Sequence, residues 1–343
     1  MIILPDSKLS PLARLQRHLR GQRYREAKYF IFVDANSYEH CLPQLVASVD
    51  ALQEAEFIEL PVGEDAKCVE VAHQVWQSLS DSGADRQSVI VNLGGGCVSD
   101  LGGFVAATYM RGIRYINIPT TLVGMVDAAL GGKTALNVGN VKNAVGVFAQ
   151  PDTVCVDTRW ISSLGQESLK AGSVELLKTL LVAGCDVPLT QYTDLLTSAN
   201  ISQAATAKMA VVKYDRYDKS ARHILNFGHT FGHAIESHSI ATGVPLSHGL
   251  AVAIGLQCAL YLSVKKLGLD SQLYDDYIRW QQSVVKSPVY SLNDTEAILQ
   301  YMRKDKKNSE GNINCVLLRA LGEAVIDVAV DELEIRDALL KLK

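Results

Sequence analysis

The hydrophobic pattern of the first half of the chain alternates between short apolar runs and longer segments with helical periodicity. The short runs are rich in β-branched and aromatic residues, which is typical of strands buried on both faces of a parallel sheet. The predicted strands are residues 29–33, 57–60, 89–93, 115–118 and 154–156, and the predicted helices include 67–79 and 101–107. Alternating strands and helices predict an α/β fold with a Rossmann-like parallel sheet.

After residue 157 the pattern changes, because helical periodicity replaces the short apolar runs. The predicted helices are residues 168–182, 201–212, 229–239 and 249–267. A chain of 343 residues exceeds the usual size of a single hydrophobic core. We therefore predict an N-terminal Rossmann-like domain of residues 1–161 and a mostly α-helical domain of residues 162–343.

Composition narrows the class of protein. Apolar residues make up 48% of the chain, charged residues 20%, and the net charge is -4, so we expect no general attraction to nucleic acid or to anionic membranes. The seven cysteines include no CxxC pair and are typical of reduced core residues. The chain shows neither an apolar signal segment nor a run long enough to span a membrane, and we expect a cytoplasmic protein.

A glycine-rich turn follows the third predicted strand. Residues 92–100 read NLGGGCVSD and lie where an apolar run gives way to a predicted helix. Glycines there let the backbone approach a pyrophosphate, which the N–H groups of the helix N-terminus can hold. The spacing is not GxGxxG, so a tight turn without a ligand fits the motif equally well. The preceding strand favours the dinucleotide site.

A second glycine pair lies in the segment GGKT at residues 131–134. The Walker pattern would need a glycine at position 127, where the chain has Asp127, and this excludes a P-loop. The same stretch brings Asp127, Lys133, Lys142 and Asn143 into a short, glycine-rich part of the chain. Such a density of polar groups suits a polar ligand, and a solvated loop is the alternative.

Histidines and a glutamate in the second half form a candidate metal site. His229 and His233 stand four residues apart on one face of a predicted helix, a spacing suited to two metal ligands or to a ligand and a base. His248 follows a predicted turn, and Glu175 lies in an earlier helix. Each residue alone is more often part of a core or a surface. Together, a Glu/His/His set with open coordination positions predicts a catalytic zinc.

Motifs along the chain resemble those of the 3-dehydroquinate synthase family, over about residues 34–318. They occur in the family's order with similar spacing. So many matching segments do not occur together by chance. The resembling segments are GEDAK from Gly63, GGGCVSDLGGFVAATYMRG from Gly94, IPTTL from Ile118, MVDAALGGKT from Met125, KNAVG from Lys142, AGSVELLK from Ala171, RHILNFGHTFGHAIE from Arg222, PLSHG from Pro245 and DKKNSEG from Asp305.

The resemblance implies two cofactors and a set of site residues. It implies zinc, with cobalt as an alternative ion, held by Glu175, His229 and His248. It implies a tightly bound NAD contacted by Asp34, Asn36, Glu64, Lys67, Gly94, Gly95, Gly96, Asp100, Thr120, Thr121, Asp127, Lys133 and Lys142. It implies substrate-binding or catalytic roles for Lys67, Arg111, Asp127, Lys133, Asn143, Lys178, Lys208, Arg222, Asn226, His233 and one of Lys306 or Lys307. Most of these substrate positions are cationic, which suits a ligand with a phosphate and a carboxylate.

The reaction that the resemblance implies converts 3-deoxy-D-arabino-heptulosonate 7-phosphate to 3-dehydroquinate and phosphate, in the shikimate pathway to chorismate and aromatic amino acids. Oxidation at C5 acidifies the C6 hydrogen, phosphate leaves by elimination, reduction restores NAD, and an aldol addition closes the ring. His233 would relay a proton, and Lys133, Asn143 and Lys178 would bind the phosphate. The implied partner is a phosphorylated sugar acid, and the implied assembly is a homodimer.

Two positions depart from the family pattern. Val174 stands where the family has alanine, and Leu250 stands where it has glutamate after His248 and Gly249. Carboxylates near a metal site orient the ligating histidines, so the missing carboxylate predicts a less firmly oriented His248. The alternatives to the main reading are a 2-epi-5-epi-valiolone or 2-deoxy-scyllo-inosose type of cyclase, a metal-dependent polyol dehydrogenase, and a relative without activity.

Overall fold

A computed structural model of the chain describes residues 1–5, 8–139, 141–285, 290–303 and 313–342. The chain divides into two compact units, Met1–Gly165 and Gln166–Lys343. The sequence places the division between residues 161 and 162, within the 3-10 turn Thr158–Ser163.

The N-terminal unit alternates strands and helices along most of its length. Its strands are β1 (Ile2–Ile3), β2 (Tyr29–Asp34), β3 (Glu56–Leu60), β4 (Val89–Gly94), β5 (Arg114–Pro119), β6 (Lys133–Val138), β7 (Val141–Phe148) and β8 (Thr153–Cys155). Its α-helices are α1 (Pro11–Leu19), α2 (Ala35–His40), α3 (Leu42–Ser48), α4 (Val69–Asp81), α5 (Gly96–Thr108) and α6 (Leu122–Val126).

Six of these strands form one parallel sheet in the order β1-β8-β5-β4-β2-β3. All six residues of β4 and the first five of β2 are buried, which explains why these segments are continuous apolar runs. From β2 the chain continues to β3 at one edge of the sheet, and from β4 it continues to β5 towards the other edge. The switch point, at which the strand order reverses, therefore lies between β2 and β4. The Rossmann-like α/β class predicted from the sequence is confirmed.

The strands β6 and β7 form a separate antiparallel hairpin, which the sequence pattern did not indicate. Every residue of β7 is exposed, so the strand lacks the alternation of buried and exposed positions that identifies a half-buried strand. The hairpin carries Lys133, Lys142 and Asn143. The segment therefore forms paired strands, and the prediction of a polar ligand there stays a prediction.

The C-terminal unit is mostly helical, as expected. Its α-helices are α7 (Gln166–Val182), α8 (Ser198–Tyr214), α9 (His229–Ala241), α10 (His248–Leu262), α11 (Ser271–Gln281), α12 (Leu292–Arg303) and α13 (Glu332–Leu340). It also contains the antiparallel hairpin of β9 (Ile313–Ala320) and β10 (Glu323–Val330), which the periodicity did not predict.

Helix α10 continues through a π-helical turn, Ser263–Leu267. The combined segment is long and apolar enough to cross a membrane, but its most apolar window is 67% buried inside the protein. Burial of that kind is typical of the central helix of a soluble domain. We therefore assign α10 to the core of the C-terminal unit.

Helices α9 and α10 make an unusually close backbone contact through glycines. A Cβ atom on Gly255 would overlap the carbonyl oxygen of Gly228 and lie 2.6 Å from the backbone nitrogen of Gly232. Gly228 precedes α9 with a φ of 78°, a conformation that glycine adopts without strain. The contact matters because α9 and α10 begin with His229 and His248, respectively.

We predict that Gly255→Ala destabilises the C-terminal unit, because the added methyl group must push α9 and α10 apart. Overpacking of this kind costs about 1–3 kcal/mol, measurable as a lower denaturant midpoint. Gly165→Ala is the matched control, since a Cβ there would meet open space. Equal stability of the two variants would show that the glycine contact does not constrain the helices.

Candidate active site

Several predicted cofactor residues of the N-terminal unit lie at the carboxyl ends of neighbouring strands. Asp34 ends β2, Gly94 ends β4, and Thr120 follows β5. The backbone N–H of Thr120 donates to the carbonyl of Gly94 at 3.0 Å, which ties two of these ends together. Ligands of parallel α/β sheets bind at this edge, beside the switch point.

The glycine turn has no space for side chains. A Cβ on Gly94 would lie 2.5 Å from Val98 Cγ2, and one on Gly95 would lie 3.0 Å from Thr121 Cγ2. Helix α5 begins directly after the turn, and no side chain caps its first N–H groups. A ligand can approach the backbone of such a turn closely, and the N–H groups of the following helix can donate to it. This arrangement is suited to a pyrophosphate.

The side chains around Asp34 are partly committed to local structure. Asp34 Oδ1 accepts hydrogen bonds from the backbone N–H of Ser37 at 2.8 Å and from its hydroxyl at 2.9 Å, which caps α2. Asn36 is exposed in the first turn of that helix. Thr121 similarly caps α6 by accepting from the N–H of Gly124 at 3.1 Å.

Lys67 is a buried cation at the centre of a polar cluster in the same unit. Its ammonium donates to Asp100 Oδ2 at 2.7 Å and to Asn143 Oδ1 at 2.5 Å. Asn137 links the cluster to the turn before Lys67, because its amide donates to Glu64 Oε2 at 2.8 Å and its Oδ1 accepts from the N–H of Asn143 at 2.9 Å. The cluster thus joins α5, the β6–β7 hairpin and the segment before α4.

The charges of this cluster support one another. Burial raises the pKa of Asp100 to about 6, and the Lys67 ammonium opposes that rise. Burial would lower the pKa of Lys67, but the charge of Asp100 and the hydrogen bond to it raise the pKa above its ordinary value. Near neutral pH the two side chains form a buried ion pair.

A cavity of about 340 Å³ adjoins the cluster and is lined by Asp100, Lys133 and Asn143 together with residues of the hairpin. Lys133 and Lys142 are exposed on that hairpin, and Asp127 follows the end of α6. Arg111 lies beyond the opposite end of α5, so the structure does not place it in this cluster.

The candidate metal site of the C-terminal unit is built on α7, α9 and α10. Glu175 and Lys178 stand three residues apart on α7, both fully buried, and Lys178 Nζ lies 2.5 Å from Glu175 Oε2. The other oxygen, Oε1, lies 3.5 Å from His229 Nε2 and 3.8 Å from His248 Nε2. Within the described part of the chain this buried oxygen makes no hydrogen bond.

Three imidazoles face one another in this cluster. The ring centroids of His229, His233 and His248 are 5.4 to 5.5 Å apart, and a ligand atom of each lies within 4.8 Å of the others. His229 Nδ1 lies 3.3 Å from the carbonyl of Phe227, which turns its Nε2 towards Glu175. A carboxylate oxygen without a hydrogen bond beside imidazole nitrogens is a donor set suited to a divalent ion.

The electrostatics of the cluster keep its carboxylate ionised. Burial would raise the pKa of Glu175, but the Lys178 ammonium and the two imidazoles hold it well below its usual range. Burial and the nearby Lys178 lower the pKa of His229. Burial would also lower the pKa of His248, but the hydrogen bond with Glu236 and the charge of Glu175 raise it.

Lys208 and Arg222 are buried cations elsewhere in the C-terminal unit. Lys208 lies on α8, and Arg222 lies in the 3-10 turn Ala221–Asn226, which follows that helix. Asp215 orders the connection by accepting from backbone N–H groups, including that of Arg222 at 3.1 Å. These bonds lower the pKa of Asp215 to about 2.

Three predicted residues add little to the description of the site, and two residues that contact it were not predicted. Asn226 is half-buried at the end of the turn that carries Arg222, and Lys306 and Lys307 lie outside the described residues. Sequence reasoning missed Asn137 and Glu236. Glu236 stands three residues after His233, on the same helix face, so its spacing could have indicated it.

The sheet with its glycine turn, followed by a helical unit with a carboxylate–imidazole cluster, defines the dehydroquinate-synthase-like class of α/β protein. A family model described as 3-dehydroquinate synthase N-terminal matches residues 57–171, and one described as 3-dehydroquinate synthase C-terminal matches residues 174–308. The chain belongs to the 3-dehydroquinate synthase family. The resemblance inferred from the motifs is confirmed.

Individual relatives agree with this assignment. A 3-dehydroquinate synthase of Parabacteroides distasonis is 36% identical, over 99% of this chain and 96% of its own. Among solved structures, 2-deoxy-scyllo-inosose synthase complexed with carbaglucose-6-phosphate, NAD+ and Co2+ has a TM-score of 0.83 at 24% identity, over 100% of this chain and 96% of that chain. A 2-epi-5-epi-valiolone synthase of Streptomyces hygroscopicus with NAD+ and Zn2+ bound has a TM-score of 0.79 at 23% identity, over the same shares.

We predict that Asp100 titrates near pH 6 and that Lys67→Met moves its midpoint upwards, because the ammonium lowers the pKa that burial raises. The folded pKa exceeds the unfolded value of about 3.9, so the folded state binds more protons between about pH 4 and 6. The contribution of Asp100 to stability therefore falls as the pH rises through that window. NMR of ¹³C-labelled aspartate carboxyl groups measures the midpoint.

Lys67→Arg is the control for this titration, since it keeps a cation beside the carboxylate. Its Asp100 midpoint should stay nearer to that of the parent chain than the midpoint in Lys67→Met. A midpoint in Lys67→Met at or below the parent value would contradict the assigned ion pair.

Proposed function

We propose that this chain converts 3-deoxy-D-arabino-heptulosonate 7-phosphate to 3-dehydroquinate and phosphate, with NAD regenerated in each turnover. One observation carries the proposal. In a chain of the 3-dehydroquinate synthase family, His229 and His248 direct their Nε2 atoms at Glu175 Oε1, at 3.5 and 3.8 Å.

The donor set of the C-terminal unit fits a divalent metal ion. Glu175 offers an ionised, buried oxygen that makes no hydrogen bond within the described residues, and His229 and His248 each direct one ring nitrogen towards it. We assign the ion to these three residues and propose zinc, with cobalt as a substitute. When bound there, the ion supplies Lewis acidity that lowers the pKa of a coordinated substrate hydroxyl.

The N-terminal unit fits a dinucleotide. The glycine turn after β4 has no space for side chains, and the open N–H groups of α5 favour a pyrophosphate. We assign NAD to this turn, to the neighbouring strand ends Asp34 and Thr120, and to the Lys67–Asp100 pair. NAD held by these residues would supply reversible hydride transfer.

Other residues of the chain bind substrate and move protons. We assign binding of the acidic groups of the substrate to buried cations of the C-terminal unit, because Lys178, Lys208 and Arg222 are already desolvated there. His233 is exposed beside the two proposed histidine ligands, and it can carry a proton between the substrate hydroxyl and solvent.

We predict that the purified chain releases phosphate from the heptulosonate phosphate and that exhaustive chelation abolishes the release. Loss is expected because Glu175, His229 and His248 alone offer no Lewis acid. A coupled phosphate assay, with metal restored after chelation, measures the effect. Phosphate release that is unaffected by chelation would contradict the proposal.

The alternative reactions give different results in matched assays. A polyol dehydrogenase would accumulate NADH from a simple polyol, whereas the proposed cycle shows no net reduction because the hydride is returned. A cyclase of the valiolone type would turn over sedoheptulose 7-phosphate, which lacks the carboxylate, in preference to the heptulosonate. A chain without bound metal or turnover would support an inactive relative.

We predict that Arg222→Gln lowers kcat/KM by about 10 to 100-fold, because a hydrogen bond to a charged group contributes about 1.5–3 kcal/mol. Arg222→Lys should recover part of the loss. Lys219→Gln, an exposed neighbour, is the matched control and should retain activity. Thermal unfolding of each variant separates loss of substrate binding from loss of folding, and an unchanged kcat/KM in folded Arg222→Gln would contradict the assignment.

We extend the proposal to the setting of the enzyme. The substrate is a small phosphorylated sugar acid, the assembly is a homodimer, and the compartment is the cytoplasm. The cysteines support the last assignment, because all seven are free thiols, as is usual in a reducing compartment.

A further inference from the structure

Glu236 contacts the outer side of the proposed metal ligand His248. Its Oε2 atom lies 2.9 Å from His248 Nδ1. Glu236 lies on α9, three residues after His233, and His248 is the first residue of α10. The contact therefore joins the two helices at the proposed metal site.

This contact decides which nitrogen of His248 is available. An ionised carboxylate only accepts hydrogen bonds, so His248 Nδ1 carries the proton and donates it to Glu236. In the neutral ring the lone pair then lies on Nε2, the atom that lies 3.8 Å from Glu175 Oε1. The tautomer that binds a metal ion through Nε2 is the one that Glu236 selects.

His248 depends on such a contact more than His229 does. The side chain of His229 is only 12% exposed, and the backbone carbonyl of Phe227 accepts at its Nδ1. The side chain of His248 is 43% exposed, so packing restricts its ring less. Leu250, in the following turn, has no carboxylate with which to restrain it.

We propose that Glu236 is a positioning residue that fixes the tautomer and ring orientation of His248 for metal binding. The inference rests on the metal centre of the proposed function. A carboxylate that accepts from a ligating histidine also makes that histidine a stronger donor, and loss of such a partner typically costs about 10 to 100-fold in metal affinity or activity. In this chain Glu236 is the carboxylate that contacts His248.

The test measures metal affinity directly, by competition for Zn2+ with a chromophoric chelator. We expect Glu236→Ala to weaken binding by about 10 to 100-fold. Glu236→Gln should weaken it less, because the amide oxygen still accepts a hydrogen bond without the negative charge. Asp276→Asn is the matched control, since it removes an exposed carboxylate paired with Arg279 on α11, and it should bind zinc like the parent chain.

Two further measurements separate positioning from a structural role. The metal-free Glu236→Gln variant should unfold at the parent temperature, and its Co2+ complex should show an altered visible absorption spectrum, which reports coordination geometry. In a His248→Ala background, Glu236→Ala should cause no additional loss of affinity, because the residue acts through the imidazole that is already gone.

Different results overturn the positioning role of Glu236 and the metal centre on which it rests. If the parent chain binds zinc and both Glu236 variants bind within about twofold of it, the positioning role is wrong and the metal centre stands. An additional loss on the His248→Ala background would also overturn the role. If the parent chain itself binds no metal, the metal centre fails and the positioning role fails with it.

Discussion

The buried carboxylate of Glu175 is the constraint on which the C-terminal unit depends. An ionised carboxylate taken out of water is costly unless cations or hydrogen-bond donors compensate it. Lys178 compensates one oxygen from the same helix, and two imidazoles from other helices face the second oxygen. Helices α7, α9 and α10 must therefore hold fixed positions, and the glycine contact between α9 and α10 lets them approach closely enough.

The sequence predicted the elements whose hydrophobic pattern is local. The inner parallel strands β2, β4 and β5 are largely apolar runs because both of their faces are buried, and the long helices keep a regular period. The two hairpins were not predicted, because β7 is exposed along its whole length and five of the eight residues of β9 are buried. Neither strand shows strict alternation, and the pairing of each depends on its partner strand rather than on its own pattern.

The candidate site also combines residues that a local sequence pattern predicts with residues whose contacts depend on the fold. The pairing of His229 with His233 follows from helix geometry, so spacing alone could predict it. The approach of Glu175 to His229 and His248 depends on how α7, α9 and α10 pack, and no local pattern contains it. The resemblance to the family supplied that link. Asn137 was missed for the same reason, because its contacts form only when the β6–β7 hairpin packs beside the turn at Glu64.

Stability alone does not account for the Glu175–Lys178 pair, since a well-packed apolar pair of similar volume is often as stable as a buried ion pair or more so. The requirements of metal binding give a better reason for the Glu175–Lys178 pair. Metal binding requires a deprotonated carboxylate and neutral imidazoles, and Lys178 favours both states by lowering the pKa values of Glu175 and His229. The ammonium also repels an incoming cation. Under the proposed assignment, the cluster therefore gives up some metal affinity in exchange for two ligands, Glu175 and His229, whose pKa values favour the protonation state that a metal needs.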